Sequence, residues 1–201
     1  MKIIEIVILM AKKVIETWKT KRWYTVYAPE LFNNKQVGEV VASEEKKLLN
    51  RVIKVGLDEL TGDLSQSYSI AKLRIVEVKG SNAYTKFIGH EQSPSFVRTF
   101  IRRRRTLIDH VIDVKTSDGV DIRLKLLVFS AGKVARETEA DIRNKIKAEL
   151  ISKAPTMTAD QLLQEILFKK FAVKLIPSIK KIAPIKRIEF RKTEIKEVFT
   201  V

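Results

Sequence analysis

Hydrophobic positions change period along this chain. Val120, Ile122, Leu124, Leu126 and Val128 are separated by Asp121, Arg123, Lys125 and Leu127. A period of two sends alternate side chains to opposite faces of a strand, so one face is buried and the other mostly wet. Asp118-Gly119 supplies the positive φ values of a tight turn, which makes residues 110–128 a hairpin. Further strands are expected at residues 22–28, rich in aromatic and β-branched side chains and ended by Pro29, and at residues 37–42 and 51–57. Residues 69–79 and 83–90 form another pair, separated by Gly80-Ser81-Asn82.

Elsewhere the spacing is helical. Ser93-Pro94 has the form of an N-cap followed by proline in the first turn, and Phe96, Val97, Phe100 and Ile101 then make one apolar stripe. Thr138 with Asp141 three residues on opens a second helix, in which Ile142, Ile146 and Leu150 recur every four residues until Pro155. Thr158 with Gln161 opens a third, carrying Leu162, Leu163, Ile166, Leu167, Phe171 and Leu175 until Pro177 kinks or ends it. After Pro184, Ile188 and Phe190 alternate with charge, as in a last strand. Six or seven short strands with turns between them favour a closed or nearly closed sheet. The expected fold class is α+β: an antiparallel β-barrel-like core with peripheral helices and basic terminal extensions. In this reading residues 1–13 are an N-terminal extension. Residues 14–133 are the core with an Arg-rich helix at about 93–105, and residues 134–201 hold the C-terminal helices and a final edge strand.

Composition narrows the function classes. The 201 residues are 45% hydrophobic, enough for one real core. Lys and Arg number 39 against 24 Asp and Glu, a net charge of +15, which points to a polyanionic partner. Cysteine is absent, which excludes disulfides, thiolate zinc sites and cysteine nucleophiles and fits a cytoplasmic protein. The longest apolar stretch, residues 3–11, is broken by Glu5 and falls short of the roughly 20 residues a membrane span needs. Lys12-Lys13 also stands where a signal peptide would be cleaved, and Met10-Ala11 is an alternative natural start.

The charge is clustered. Residues 10–35 hold six basic and two acidic side chains, residues 98–105 five Arg and no acid, and residues 169–201 ten basic and three acidic side chains. Such blocks are the footprint of a phosphate-binding protein. Arg102-Arg103-Arg104-Arg105 is the most specific local feature. A helix there would set Arg98, Arg102 and Arg105 on one side, and guanidinium forks suit phosphate oxygens at any physiological pH. The bland alternative is a solvated helix end. Trp18, Trp23, Tyr24 and Tyr27 interleave with Lys19, Lys21 and Arg22, as in single-strand binders, although the alternation makes at least one set of these rings core. The tail from Lys169 to Lys196 would suit a membrane surface if helical, but its prolines and final strand argue against that. His90 and His110 have no metal-ligand spacing, and no phosphate-binding glycine loop or nucleophile elbow occurs. No metal or cofactor is expected. An RNA-cleaving or RNA-modifying enzyme would have to draw on Asp58, Glu59, Asp63, His90, Glu91 and Asp109.

Several strings together resemble one family. They are Trp18-Lys19-Thr20-Lys21-Arg22-Trp23-Tyr24-Thr25-Val26-Tyr27-Ala28-Pro29, Leu60-Thr61-Gly62-Asp63-Leu64, Thr85-Lys86-Phe87-Ile88-Gly89-His90-Glu91, Arg102-Arg103-Arg104, Asp113-Val114-Lys115-Thr116-Ser117-Asp118-Gly119 and Pro184-Ile185-Lys186-Arg187-Ile188-Glu189-Phe190-Arg191-Lys192. In this order, from about Val14 onward, they resemble the S3Ae family of archaeal and eukaryotic small-subunit ribosomal proteins. The resemblance implies a non-catalytic component of the platform near the mRNA exit that holds small-subunit rRNA and touches neighbouring platform proteins and mRNA. The residues expected to meet RNA are Lys12, Lys13, Lys19, Lys21, Arg22, Lys86, Arg98, Arg102, Arg103, Arg104, Arg105, Lys169, Lys170, Lys186, Arg187, Arg191 and Lys192. Three departures qualify it: residues 1–9 have no counterpart, Ser93-Pro94-Ser95-Phe96 replaces a more polar segment, and contacts made by the long basic tails of eukaryotic members do not carry over.

Overall fold

The structure, a computed structural model, describes Trp18 and residues 20–197. Lys12, Lys13, Lys19 and the expected extension at residues 1–13 therefore lie outside the described residues. Eight strands form one mixed sheet: β1 (Arg22–Tyr27), β2 (Gln36–Ala42), β3 (Val52–Gly56), β4 (Ser69–Lys79), β5 (Asn82–Gln92), β6 (Leu107–Lys115), β7 (Asp121–Ser130) and β8 (Ile185–Lys196). Five α-helices accompany them among the described residues: α1 (Leu57–Thr61), α2 (Pro94–Phe100), α3 (Arg136–Lys153), α4 (Ala159–Leu167) and α5 (Lys170–Lys180).

The sheet runs β2-β1-β5-β8-β7-β6, and β4 pairs with both β3 and β5. One side of β5 thus carries β4, while the other side carries β1 at its start and β8 at its end. The β1–β5 pairing is parallel and the sheet does not close, so the expected antiparallel barrel does not describe this arrangement. A second correction concerns β8. It lies between β7 and β5 instead of at an edge: its whole length pairs with β7, and Lys192 to Glu194 pair on the other side with Gly89 to Glu91.

The main core joins β6 to β8 and helices α3 to α5 with Val55, Leu57, Leu60, Leu73 and Phe87 from β3, α1, β4 and β5. Ile122, Leu124, Leu126 and Val128 of β7 meet Ile142, Ile146, Leu150, Leu163, Phe171 and Leu175, all with little or no exposure. A smaller core gathers Tyr24, Val26, Ala42, Leu48, Ile75 and Ala83 from β1, β2, β4, β5 and the loop before β3. The Thr158–Gln161 capping box forms as expected at the start of α4. Helix α3 instead begins at Arg136 with Ala135 as its N-cap, three residues before the expected cap Thr138, and Glu137 and Glu139 are favourably placed in its first turn. The single helix expected from Thr158 to Pro177 is two. Phe168 ends the first, Lys169 takes the left-handed conformation at φ 59°, and α5 then continues through Pro177 to Lys180. No helix among the described residues is long and apolar enough to cross a membrane.

Candidate nucleic-acid interface

Register brings three separate parts of the chain to one end of the sheet. Leu107 pairs with Phe129, Phe129 with Arg187, and Ser130 with Ile185. The segment entering β6, the segment leaving β7 and the segment entering β8 therefore meet. Thr106 clasps the first two: its N–H donates to Ser130 Oγ at 2.8 Å, and its Oγ1 accepts from the Val134 N–H at 3.0 Å. The Ala131 N–H donates to the Pro184 carbonyl at 2.8 Å and ties in the third. Helix α2 leans on this end through Phe100, whose ring centre lies 5.4 Å from that of Phe129.

Arg102 to Arg105 sit on this end, but not on a helix. Helix α2 stops at Phe100, Ile101 is extended, and the four arginines form a turn in which Arg104 has φ 62°. A continued helix would set Arg98 beside Arg102, and Arg102 beside Arg105, with no acid to offset their repulsion. Arg98 and Arg102 to Arg105 are all exposed, and their side chains have no ion pair or hydrogen bond among the described residues. Lys186, exposed and with no acidic partner among the described residues, stands one residue beyond the Ser130–Ile185 pair. The Thr106 clasp also delivers Lys133 and Arg136, again exposed and without acidic partners among the described residues. Sequence reasoning missed these two, since isolated cations beside Gly132 carry no signal until the clasp is known.

The other expected residues divide by partner. Lys169 and Arg187 turn inward to Glu189, which is 3% exposed: the Lys169 ammonium is 3.6 Å away and the Arg187 Nε–H donates to the same carboxylate. Gln92 Nε2 donates to the other oxygen at 2.8 Å. Arg187 also covers the ring of Phe100, and Lys169 donates to the Tyr68 hydroxyl. Lys86 pairs with Glu197 at 3.2 Å, Arg191 with Asp109 at 3.6 Å, and Lys192 with Glu194, whose carboxyl that ammonium holds below its usual range. Lys170 is exposed beside the Phe168 ring. Lys21 and Arg22 lie at the start of β1, far along the sheet from the arginine turn, with no acidic partner among the described residues.

The residues an enzyme would need are scattered. His90 is buried and Glu91 is bound to Lys72 at 2.5 Å, its carboxyl lowered by that ammonium. Asp109 is on β6, while Asp58, Glu59 and Asp63 lie in and after α1. Among the described residues no group of three or more His, Cys, Asp or Glu side chains is placed to hold a metal ion.

The profile of the Ribosomal S3Ae family matches residues 10–198. A protein of Methanothrix thermoacetophila named small ribosomal subunit protein eS1 is 38% identical over 185 residues, covering 92% of this chain and 88% of its own length. The protein of the same name from Saccharolobus islandicus is 34% identical over 183 residues, covering 91% and 88%.

Proposed function

Because the chain belongs to the ribosomal S3Ae family, we propose that it binds small-subunit rRNA through the basic end of its sheet, on the platform near the mRNA exit. The coarser part of this statement follows from the family: the chain is a structural component of the small ribosomal subunit, works in translation in the cytoplasm, and is not an enzyme. Neighbouring platform proteins and mRNA near the exit are the further partners of this reading. The rRNA contact is carried by one observation. Arg98 and Arg102 to Arg105 are exposed without an acidic partner and converge with Lys133, Arg136 and Lys186. Clustering like-charged groups costs free energy unless an anion offsets it.

Lys169 and Arg187 act in this picture by positioning. Their salt links to Glu189 hold β8 and the α4–α5 turn, so that Lys186 and Lys170 project outward. Most contacts made by such a surface go to phosphates and fix orientation without reading bases. RNA duplexes hide their major-groove edges, so backbone and 2′-OH contacts dominate.

The test is the salt dependence of binding to an rRNA hairpin. With about six phosphates neutralised, log K falls with a slope of roughly −4 to −5 against log salt. Replacing Arg102 to Arg105 by Gln reduces that slope by roughly 3 and does not lower the melting temperature, since the clustered repulsion is relieved. A wild-type slope near zero overturns the proposal.

A further inference from the structure

Strand β1 carries aromatic residues on both faces, and the core uses one. Tyr24 and Val26 enter the smaller core, so Trp23, Thr25 and Tyr27 point the other way. Trp23 is 62% exposed, and nearby Trp18 is 68% exposed. Tyr27 stacks on Tyr84 of β5, ring centres 5.8 Å apart and planes 23° apart, and Tyr84 is itself 38% exposed. The parallel pairing sets Tyr27 opposite Tyr84, which puts Trp23, Tyr27 and Tyr84 on one open face of the sheet. Trp23 and Tyr27 stand four residues apart on the strand, roughly 13 Å. Rings so spaced can receive alternate bases of an extended strand, two nucleotides apart.

The rim of this face is cationic. Lys21 stands two residues before Trp23 on the same face and has no acidic partner among the described residues, while Arg22 lies on the Tyr24 side of the strand, by a cavity it lines with Glu44 and Glu45. The Lys21 ammonium lies 4.6 Å from the Trp18 ring centre, and the Lys79 ammonium 5.5 Å from that of Tyr84. Of the acids nearby, Glu77 is paired with Lys79 at 3.0 Å and Glu39 stands opposite Thr25. Aromatic faces flanked by phosphate-seeking cations are the requirement for binding unpaired nucleotides. A duplex keeps its bases stacked inside and cannot use such a floor. A basic protein neighbour would meet repulsion from Lys21.

We infer that Trp23, Tyr27 and Tyr84 form a stacking platform for an unpaired strand of the subunit's own rRNA, separate from the phosphate-binding end of the sheet. The inference rests on the rRNA-binding reading above and adds the class of RNA taken at a second place. Strand β5 separates the two places: Tyr84 stands near its start, and its last residue, Gln92, leads into α2, roughly 26 Å on.

Two probes separate the readings: an unpaired eight-nucleotide RNA and a short RNA hairpin, each titrated against the intact chain. Trp23→Leu and Tyr84→Ala should each weaken binding of the unpaired RNA by roughly 5- to 100-fold with hairpin affinity unchanged, and Trp23→Leu, the more exposed site, should leave the melting temperature unchanged as well. Wild-type tryptophan fluorescence should be quenched by the unpaired RNA, and less so in Trp23→Leu. Replacement of Arg102 to Arg105 should give the mirror result, a loss confined mainly to the hairpin. Unchanged affinity of Trp23→Leu for the unpaired RNA overturns the platform, as does equal loss on both probes. Failure of the wild type to bind the hairpin overturns the broader rRNA-binding reading instead. In salt-washed subunits free of mRNA, ultraviolet cross-linking should join rRNA to the peptides holding Trp23 or Tyr84. A cross-link to a neighbouring protein, or to RNA only after mRNA is added, overturns the assignment to rRNA.

Discussion

At the scale of single residues, the junction of β5 and β8 is built around His90, which is 3% exposed. Its Nε2 lies 3.0 Å from the Phe190 carbonyl, an acceptor only, so this nitrogen carries the proton and donates. Nδ1 then accepts from the Thr193 hydroxyl at 2.8 Å, and the same hydroxyl oxygen accepts from the His90 N–H at 3.1 Å. Burial pushes the imidazole pKa down to about 4, against 6.5 for a free side chain. The folded state therefore resists protonation. The corresponding stability is fully present above pH 6.5, falls as pH drops from 6.5 towards 4, and levels off below that. It amounts to about 3 kcal/mol. Urea unfolding between pH 7 and 5 should show this slope in the wild type and lose most of it in His90→Gln. Gly89 is a steric requirement of the same junction. A Cβ there would lie 2.1 Å from the Thr193 carbonyl oxygen, so Gly89→Ala should cost about 3 kcal/mol by displacing β8, readable as a lowered melting temperature.

At the scale of elements, the tip of the β6–β7 hairpin serves a helix as well as a turn. Asp118 Oδ2 accepts from the Ala159 N–H at 2.9 Å, at the first residue of α4. Ser117 Oγ donates to the Met157 carbonyl at 2.8 Å. Helix α4 thus has two caps, Thr158 from its own segment and Asp118 from 41 residues before Ala159. Each should contribute about 1 kcal/mol. Thr158→Ala and Asp118→Ala should cost that much singly, and a double-mutant cycle by denaturant unfolding should reveal coupling, because both serve one helix terminus. The capping box was legible because it is local. The Asp118 cap was not, since Asp118-Gly119 explains itself fully as turn chemistry. The helical expectation for Arg102 to Arg105 failed for a related reason. The apolar stripe of Phe96 and Phe100 is real, but Phe100 seats on Phe129 and ends the helix there.

At the scale of the whole molecule, the net charge of +15 acts against the isolated fold and for its complex. Self-repulsion is screened by salt, so the melting temperature of the free protein should rise between low and moderate ionic strength. RNA affinity falls over the same range. Binding should stabilise the chain by mass action, so an rRNA hairpin added at low salt should raise the melting temperature, and the increment should shrink as salt increases. Differential scanning fluorimetry across salt, with and without RNA, reads both opposing trends. A melting temperature that falls with salt in the free protein would show that its ion pairs, such as Arg123–Asp113 and Lys174–Glu165, outweigh the clustered repulsion.

The strands, the hairpin at Asp118-Gly119, the apolar faces of α3 and α4, and the phosphate-seeking character of the arginine run were determined by the sequence. Each depends on spacing or on side-chain chemistry within a few residues. Only the tertiary structure decided which strands are neighbours, that β8 is internal, and that the sheet stays open. It also decided which cations remain for RNA. Lys169 and Arg187 read like any other basic residues until Glu189 is seen buried between them, and Lys133 and Arg136 read as isolated charges until Thr106 brings them beside the arginine turn. Pairing across long separations depends on shape and on what each charge finds nearby, and neither is written in local periodicity.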